Sequence, residues 1–523
     1  RQDGPFLRGK ATEIGYPVLI KAVAGGGGKG MRRVDQDEDF TSALTSARRE
    51  ALNAFGDDRV LVEKFVETPR HIEIQVMADM RGTTLHLFER DCSIQRRHQK
   101  IVEEAPAPGM TDGLRARMGA AAVQTAEAVG YAGAGTVEFI VPGNAPLSDD
   151  TPFYFMEMNT RLQVEHPVTE MVTGLDLVAL QLRAAAGQRL DLAQDDVRLD
   201  GHAIEVRLYA EDPDNGFLPS SGQLDALEIP EGVGIRVDSG VREGDHVSPF
   251  YDPMVAKIIA HGRTRGAALD RLSDCLADTL IAGPKTNLML LQEIVAHGGF
   301  GAGPVDTGFL DRELDALIPD AVPQRRTVAA ELALDLIAQD QARVAAQVKG
   351  RSTMDHDPWN AADGFALGTV SSGMERSHGL VLIIDGRNET VTVEWPVDGP
   401  RITDPVADDA VSLSVVEADT ALYGLVGGRQ FRVTPPDYGR TGGGSSAGGT
   451  ISAPMHGKVL AIAVTPGDTV EAGDPVATVE AMKMEHGLTA PRAGVVAVVH
   501  AAEGDQVGEG QALVSLEEPA AAA

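Results

Sequence analysis

Val479-Glu480-Ala481-Met482-Lys483-Met484-Glu485-His486 stands at the junction of an internal repeat, and that repeat decides how the C-terminal part of the chain folds. Ala453-Pro454 with Gly457 returns 37 residues later as Ala490-Pro491 with Gly494. Gly467-Asp468 returns as Gly504-Asp505, Val470 as Val507, and Gly473 as Gly510. Short Val- and Ala-rich runs separated by Gly-Asp turns read as strands. Residues 450–517 are therefore expected to be all β, two similar sheets related by a pseudo-two-fold axis. Lys483 falls where the first copy ends and the second begins, which places it at a hairpin tip. Lys458 is the only other lysine here, and from 450 to 523 three basic residues face ten acidic ones. An arbitrary lysine is a solvated surface group; one isolated on a turn of an acidic module is a candidate for site-specific modification. The stretch Thr441-Gly442-Gly443-Gly444-Ser445-Ser446-Ala447-Gly448-Gly449 just before this zone is a flexible linker by composition.

With Ala481-Met482-Lys483-Met484 at the repeat junction, 450–517 resembles the biotinyl carrier domain of biotin-dependent carboxylases. The resemblance implies a flattened β-barrel of the biotinyl/lipoyl type and biotin in amide linkage on Lys483, loaded by a biotin protein ligase. Lipoyl carriers share the fold but normally set the lysine between Asp and Ala, and neither neighbour is present. The linker would let the tethered group visit separate sites at high effective concentration.

Working back toward the N-terminus, Lys21-Ala22-Val23-Ala24-Gly25-Gly26-Gly27-Gly28-Lys29-Gly30-Met31 follows a strand-like run. Glycines let backbone N–H groups converge on phosphate oxygens. This is no P-loop, because Gly30 follows Lys29 where Ser or Thr is needed. Nor does it fit the dinucleotide fingerprint, which needs a helix directly behind it. Read alone, it is also compatible with a mobile loop. Downstream, Val62-Glu63-Lys64-Phe65-Val66-Glu67 and His71-Ile72-Glu73-Ile74-Gln75 read as strands whose carboxylates could meet an adenine amino group or ribose hydroxyls, or simply face solvent. Glu138 in Gly135-Thr136-Val137-Glu138-Phe139 and Glu157 in Phe155-Met156-Glu157-Met158-Asn159 sit in apolar alternating patterns. Both carboxylates are expected among buried residues, a costly place without compensation. With Asn159 they are hard oxygen ligands suited to Mg²⁺ or Mn²⁺ shared with nucleotide phosphates; a solvent-facing sheet surface is the plain alternative. Glu89-Arg90-Asp91-Cys92-Ser93-Ile94-Gln95-Arg96-Arg97-His98-Gln99-Lys100 and Asn159-Thr160-Arg161-Leu162-Gln163-Val164-Glu165-His166-Pro167 gather charged and amide groups beside apolar strands, as a small-anion pocket would. A run such as Arg96–Lys100 is otherwise a solvated basic face.

Composition narrows the partners. The 523 residues carry 46 Lys and Arg against 77 Asp and Glu, a net charge of −31. That excludes a broad basic face for nucleic acid or anionic lipid. Two separated cysteines, Cys92 and Cys275, match no disulfide or metal framework and point to a reducing, cytoplasmic compartment. No apolar run approaches a membrane span. The start lacks both a signal-like stretch and an initiator Met, so the sequence reads as an internal piece of a longer chain.

Residues 1 to about 318 resemble the ATP-grasp and C-terminal parts of biotin carboxylase, through Lys21, the glycine loop, Gln95–Lys100, Glu157–Arg161 and Gly201-His202-Ala203-Ile204-Glu205-Val206-Arg207. The resemblance implies that Lys21, Gly27, Gly28, Glu63, Lys64, Phe65, Val66, His71, Gln95, His98, Glu138 and Glu157 bind ATP. It implies divalent ions on Glu138, Glu157 and Asn159, and bicarbonate on Lys100, Arg161, Gln163 and Val164. Arg207 would meet the biotin ureido oxygen, Glu165 would be the general base, and Lys100, Arg161, Glu165 and Arg207 would form the catalytic set. The family begins with a further domain of about a hundred residues and another ATP-contacting lysine that do not appear here. Residues 319–437, an Ala/Leu helix followed by hairpin signals at Asp385-Gly386 and Gly427-Gly428, resemble by position and pattern the connecting domain of acyl-CoA carboxylase α subunits, a β-barrel around a helix that docks the carboxyltransferase β-subunit.

The expected organisation is α+β and multidomain: ATP-grasp 1–190, carboxylase C-terminal domain 191–318, connecting domain 319–437, linker 438–449 and carrier 450–517. The expected activity is that of a ligase in a hetero-oligomer. It carboxylates biotin with bicarbonate and ATP and carries the carboxyl group to an acyl-CoA carboxyltransferase acting on acetyl-, propionyl- or 3-methylcrotonyl-CoA. A pyruvate carboxylase fragment is disfavoured, because its barrel takes about 250 residues and 319–449 is too short for one. A carrier and docking protein with an inactive ATP site stays open at this point.

Overall fold

The computed structural model describes residues 1–24, 30–96, 99–348, 376–395, 400–403, 413–418, 421–434, 449–481, 484–508 and 510–517. Lys483, Gly27, Gly28, Arg97 and His98 lie outside these residues, as does all of the expected linker except Gly449.

A small antiparallel sheet comes first. Its central strand Val18–Ala22 is flanked by Met31–Val34 and Val60–Lys64. The helices Gly4–Ile14 and Phe40–Phe55 bury Leu7, Ala11, Phe40, Leu44 and Ala47 against Val18, Ile20, Val34 and Val60. A strand, not a helix, follows the glycine segment, as the mismatch with the dinucleotide fingerprint requires.

The main body is an eight-stranded antiparallel sheet. Its spatial order is Ile235–Ser239, Met254–Gly262, His202–Tyr209, Gln99–Ala105, Thr84–Arg96, Pro69–Ala78, Gly133–Pro142, Tyr154–Asn159. Alternation decides its two faces. Ile72, Ile74, Val76, Val137, Phe139 and Val141 turn toward the helix Asp112–Ala128, which answers with Leu114, Met118, Ala122 and Ala126. Their neighbours, His71, Glu73, Gln75, Thr136 and Glu138, are thereby delivered to the other face. Strands from both sides of residue 190 share this sheet, since Glu103 pairs with Glu205 and Val102 with Val206. A large core then forms around Ile204, Val206, Leu208 and Ile258 with the helices Arg265–Ala277 and Leu288–Ala296.

Beyond it, the helix Val322–Val348 packs Val328, Leu332 and Ala333 against Leu382, Ile384, Val391, Phe431 and Val433 of a six-stranded antiparallel sheet. Asp385-Gly386 and Gly427-Gly428 are its tight turns, with positive φ at all four residues. This unit is pinned to the preceding one by Tyr423 donating to Asp225 (2.9 Å), Lys285 to Asp385 (2.9 Å) and Arg429 to Asp214 (2.8 Å).

The C-terminal module has the expected two-fold. One sheet runs Thr450–Ser452, Ala512–Leu516, Gly494–Val499, Thr469–Val470; the other runs Met484–Thr489, Pro475–Ala481, Gly457–Ile462, Gln506–Val507. Adding or subtracting the repeat length converts one list into the other. The hydrogen bonds obey the same operation. Gly510 N donates to Ala453 O, and Gly473 N to Ala490 O, each at 2.8 Å; Gly504 N donates to Val459 O, and Gly467 N to Val496 O, each at 2.8 Å. Ala481 pairs with Met484 at the junction of the two copies, and the tip expected at Lys483 lies outside the described residues.

Candidate active site

A row of ionisable side chains crosses the polar face of the large sheet. Glu157 pairs with Glu138, Glu138 with Glu73, and Glu73 with Arg90, on four successive strands. On the next two strands Glu103 faces Glu205, and Arg207 then faces Lys257 on the strand beyond. The register of one sheet thus gathers residues far apart in sequence.

Lys100 is the hub. Its Nζ donates to Glu73 Oε2 (2.6 Å), Glu138 Oε1 (3.2 Å) and Glu165 Oε1. Burial by itself would lower the Lys100 pKa; the carboxylates of Glu73, Glu165 and Glu138 reverse that and hold it charged. Burial likewise pushes Glu73 up, but Lys100 and Arg90 bring its carboxyl down to about 2. Glu138 is held well below the usual carboxylate range against the cost of burial, by His71, Lys100 and Gln163. Asn159 Nδ2 and Gln163 Nε2 each donate to Glu138 Oε1 at 3.0 Å, and His71 Nε2 lies 3.2 Å from Oε2.

Glu165, in the turn before the helix His166–Thr173, joins this cluster to Arg207. Its Oε2 accepts from Arg207 Nη2 at 3.0 Å, while Arg207 Nε donates to Glu103 Oε1 at 2.6 Å. Desolvation and Glu73 raise the Glu165 pKa; Lys100, Arg207 and Arg90 lower it further, so Glu165 is ionised. Lys257 donates to Val164 O at 2.6 Å and fixes the backbone of the turn.

Arg90 is a structural member that sequence reasoning quoted without assigning it a role. It is fully buried and makes five hydrogen bonds: Glu73 (2.7 Å), Gln75 (2.6 Å), Thr169 (3.0 Å), Thr136 (3.2 Å) and Gln163 (3.0 Å). Glu73, Glu103, Glu205 and Lys257 were missed as well. The available signal was alternation: once Ile72 and Ile74 are core, Glu73 must face away with Gln75.

The structure therefore brings together Lys100, Glu138, Asn159, Gln163, Glu165, Arg207 and His71. Gln95 pairs with Lys100 across the hairpin. Two expectations are corrected. Glu157 is exposed, because its strand is the sheet's edge and none of the described residues covers it. Arg96 belongs neither to a solvated face nor to an anion pocket: it is buried, paired with Glu211 (2.7 Å) and stacked on Phe217 (3.8 Å to the ring centroid). Arg161 is exposed, with only a long hydrogen bond to Leu162 O (3.4 Å) among the described contacts. Lys21 lies on the central strand of the small sheet, with Glu63, Lys64, Phe65 and Val66 on or just beyond its neighbour. Lys64 Nζ is taken by Gly15 O (2.8 Å) and Tyr16 O (3.2 Å), and Arg33 stacks on Phe65 (4.4 Å).

Residues 7–193 match the carbamoyl-phosphate synthase L chain ATP-binding domain, 205–312 the biotin carboxylase C-terminal domain, and 449–516 the domain described as biotin-requiring enzyme. The chain is 40% identical to the mitochondrial methylcrotonoyl-CoA carboxylase subunit alpha of Mus musculus over 99% of its own length and 74% of that protein's. The chain belongs to the α subunits of biotin-dependent acyl-CoA carboxylases. The mouse mitochondrial propionyl-CoA carboxylase alpha chain is 38% identical over 97% of this chain and 72% of that one. The biotin carboxylase domain of Hydrogenobacter thermophilus 2-oxoglutarate carboxylase, solved with MgADP, ADP and bicarbonate, is 43% identical, with a TM-score of 0.57 over 61% of this chain and 69% of that one.

As an α subunit of this family it is a ligase that carboxylates biotin at the expense of ATP and carries the product on its C-terminal module. Such subunits form complexes with carboxyltransferase subunits. No helix among the described residues is long and apolar enough to cross a membrane. The donor chemistry suits a divalent cation: Glu138 is an ionised carboxylate, its cross-strand neighbour Glu157 is open to solvent, and Asn159 adds an amide oxygen.

Proposed function

We propose that the polar face of the large sheet activates bicarbonate with ATP as carboxyphosphate and that Lys483 carries the biotin that accepts the carboxyl group. The observation that supports it most is the Glu165 carboxylate, held between Lys100 and Arg207. These two cations are where an anion would bind. An arriving bicarbonate competes for them, and as Glu165 loses their stabilisation its proton affinity rises, which suits it to take the bicarbonate proton. Gln163 and the Val164 backbone, set by Arg90 and Lys257, would orient the anion beside Lys100. Arg161, on the surface of the same turn, would reach the transferring phosphoryl group. Lys21, Gly27, Gly28, the main chain of Glu63 to Val66, His71, Gln95 and His98 would bind the nucleotide. Glu138, Glu157 and Asn159 would hold Mg²⁺ or Mn²⁺, whose charge offsets that of the phosphates. Biotin, when bound, supplies the weakly acidic nitrogen that takes up the carboxyl group. The protein's part would be Arg207, which is held in place by Glu103 and Glu165 and would meet the ureido oxygen.

We assign 1–190, 191–318, 319–437, 438–449 and 450–517 the roles of nucleotide-binding, carboxylase C-terminal, docking, linker and carrier segments. The partners would be a carboxyltransferase β-subunit and a biotin protein ligase. The buried free thiols Cys92 and Cys275 favour a reducing compartment such as the cytoplasm. Of the acyl-CoA substrates, 3-methylcrotonyl-CoA is the first to test, supported by the mouse relative of that name; propionyl-CoA is the second.

The deciding experiment isolates protein made in its own host. Lys483→Ala is expected to abolish streptavidin labelling, and a persisting signal would place the arm elsewhere. ATP hydrolysis dependent on bicarbonate and free biotin is expected from the holoenzyme; its absence would favour a carrier with an inactive ATP site.

A further inference from the structure

Glu103 and Glu205 face each other on the two central strands of the large sheet, and neither has any solvent exposure. Side chains at such positions start about 5 Å apart. Both oxygens of Glu205 and Oε2 of Glu103 lack hydrogen-bond partners. Only Glu103 Oε1 is engaged, by Arg207 (2.6 Å); Lys257 Nζ stays 4.0 Å from Glu205 Oε1 and is drawn toward Val164 O (2.6 Å) and Asp238 (3.3 Å). At the pair itself, Arg207 is shared between Glu103 and Glu165, and Lys257 comes no closer to Glu205 than 4.0 Å, so two adjacent buried carboxylates have one close cation. Isolated buried charge is too costly to persist, and two adjacent carboxylates relieve it by keeping one proton between them.

We propose that Glu103 and Glu205 share one proton at neutral pH, and that this protonated pair is the positioning element that keeps Arg207 on Glu165. The inference rests on the roles given above to Arg207 and Glu165. The groups around the pair pull both ways: Lys100, Arg207 and Lys257 favour the ionised form, while burial and the neighbouring carboxylates favour the protonated one. Lys100 lies on the Glu103 strand, Cys92 on the next, Arg207 and Tyr209 on the Glu205 strand, Lys257 and then Asp238 on the strands beyond, and Glu165 with His166 on the turn above. Burial raises the pKa of both glutamates; for Glu205 the Glu103 charge adds to the rise, and for Glu103 the Arg207 charge only partly offsets it. With one proton, the pair presents a single negative charge, which Arg207 meets with Nε (2.6 Å) and Nη2 (2.5 Å) on Glu103 Oε1 while Nη2 also reaches Glu165 at 3.0 Å. With none, two charges compete with Glu165 for the same guanidinium. Glu103 and Glu205 touch no substrate in this scheme; they act through Arg207.

The test reads the proton directly and then its consequence. Infrared spectra of the full-length protein at neutral pH should show the carbonyl stretch of a buried protonated carboxylic acid. Glu205→Gln should remove that band, because the amide satisfies Glu103 and lets it ionise. Should that variant fail to fold, Glu103→Gln carries the same expectation. In the biotinylated holoenzyme, Glu205→Gln should move the alkaline limb of bicarbonate-dependent kcat/KM upward by about one pH unit, and Glu205→Ala, which also removes the shared proton, should move it the same way while lowering kcat/KM further. Absence of the band, or a band that survives both glutamine variants, overturns the shared proton whatever the fate of the catalytic assignment. Loss of the band with an unmoved limb overturns the positioning role alone.

Discussion

Arg207 Nη2 sits 3.0 Å from Glu165 Oε2, and both residues are buried. They come from segments 42 residues apart, a central strand and the turn that opens a short helix. Neither position is fixed locally. The sheet register sets Arg207, and the Lys257 bond to Val164 O sets the turn. Glu165→Gln keeps the size of the side chain and removes the base. Turnover dependent on bicarbonate should fall by at least about 10²-fold, the usual weight of a general base, while KM for ATP changes little. Steady-state kinetics on the holoenzyme decide it; unaltered turnover would remove Glu165 from the mechanism.

Arg90 spends all its donors on buried acceptors. Lysine cannot reproduce that fork. Arg90→Lys should cost about 3–5 kcal/mol in denaturant unfolding, the range for breaking a buried ion pair.

Glu157 is exposed on an edge strand, so it contributes little packing. Glu157→Gln should leave the melting temperature almost unchanged and reduce metal-dependent turnover by at least about tenfold. Equal losses of stability and turnover would assign it a structural task instead.

Lys100 and Arg90 hold the Glu73 carboxyl at about 2 against an ordinary 4.5, overcoming its burial. A carboxyl depressed in the folded state stabilises fully above its unfolded pKa, and that contribution is lost as pH falls through the folded one. Stability should therefore decline between about pH 4.5 and 2, and Glu73→Gln should flatten that segment of the curve while lowering stability at neutral pH. Urea unfolding at a series of pH values measures both.

Gly467 and Gly504 are equivalent in the carrier module. Both have φ of 94° and open space around a would-be Cβ. Alanine at either should cost about 1–2 kcal/mol by backbone strain alone. The two losses should agree closely, because the same hydrogen bond closes both turns. Unequal values from thermal unfolding of the full chain would mean that the two halves are not mechanically equivalent.

Local patterns made much of this legible from sequence. The repeat offset required two interchangeable sheets, since glycine at a positive-φ turn and valine in a core recur only where backbone geometry recurs. The glycine segment ahead of a strand excluded the two familiar phosphate loops. Alternation put Glu138 beneath the surface. Which strands lie side by side is another matter, because register depends on long-range pairing that no short window contains. Tertiary structure alone placed Glu205 opposite Glu103, closed Arg90 inside five acceptors, took Arg96 into a core with Glu211 and left Glu157 on an open edge. Sequence determined the kinds of groups and the faces they occupy; the assembled sheet decided which charges share a dry space, and that sets where their protons reside.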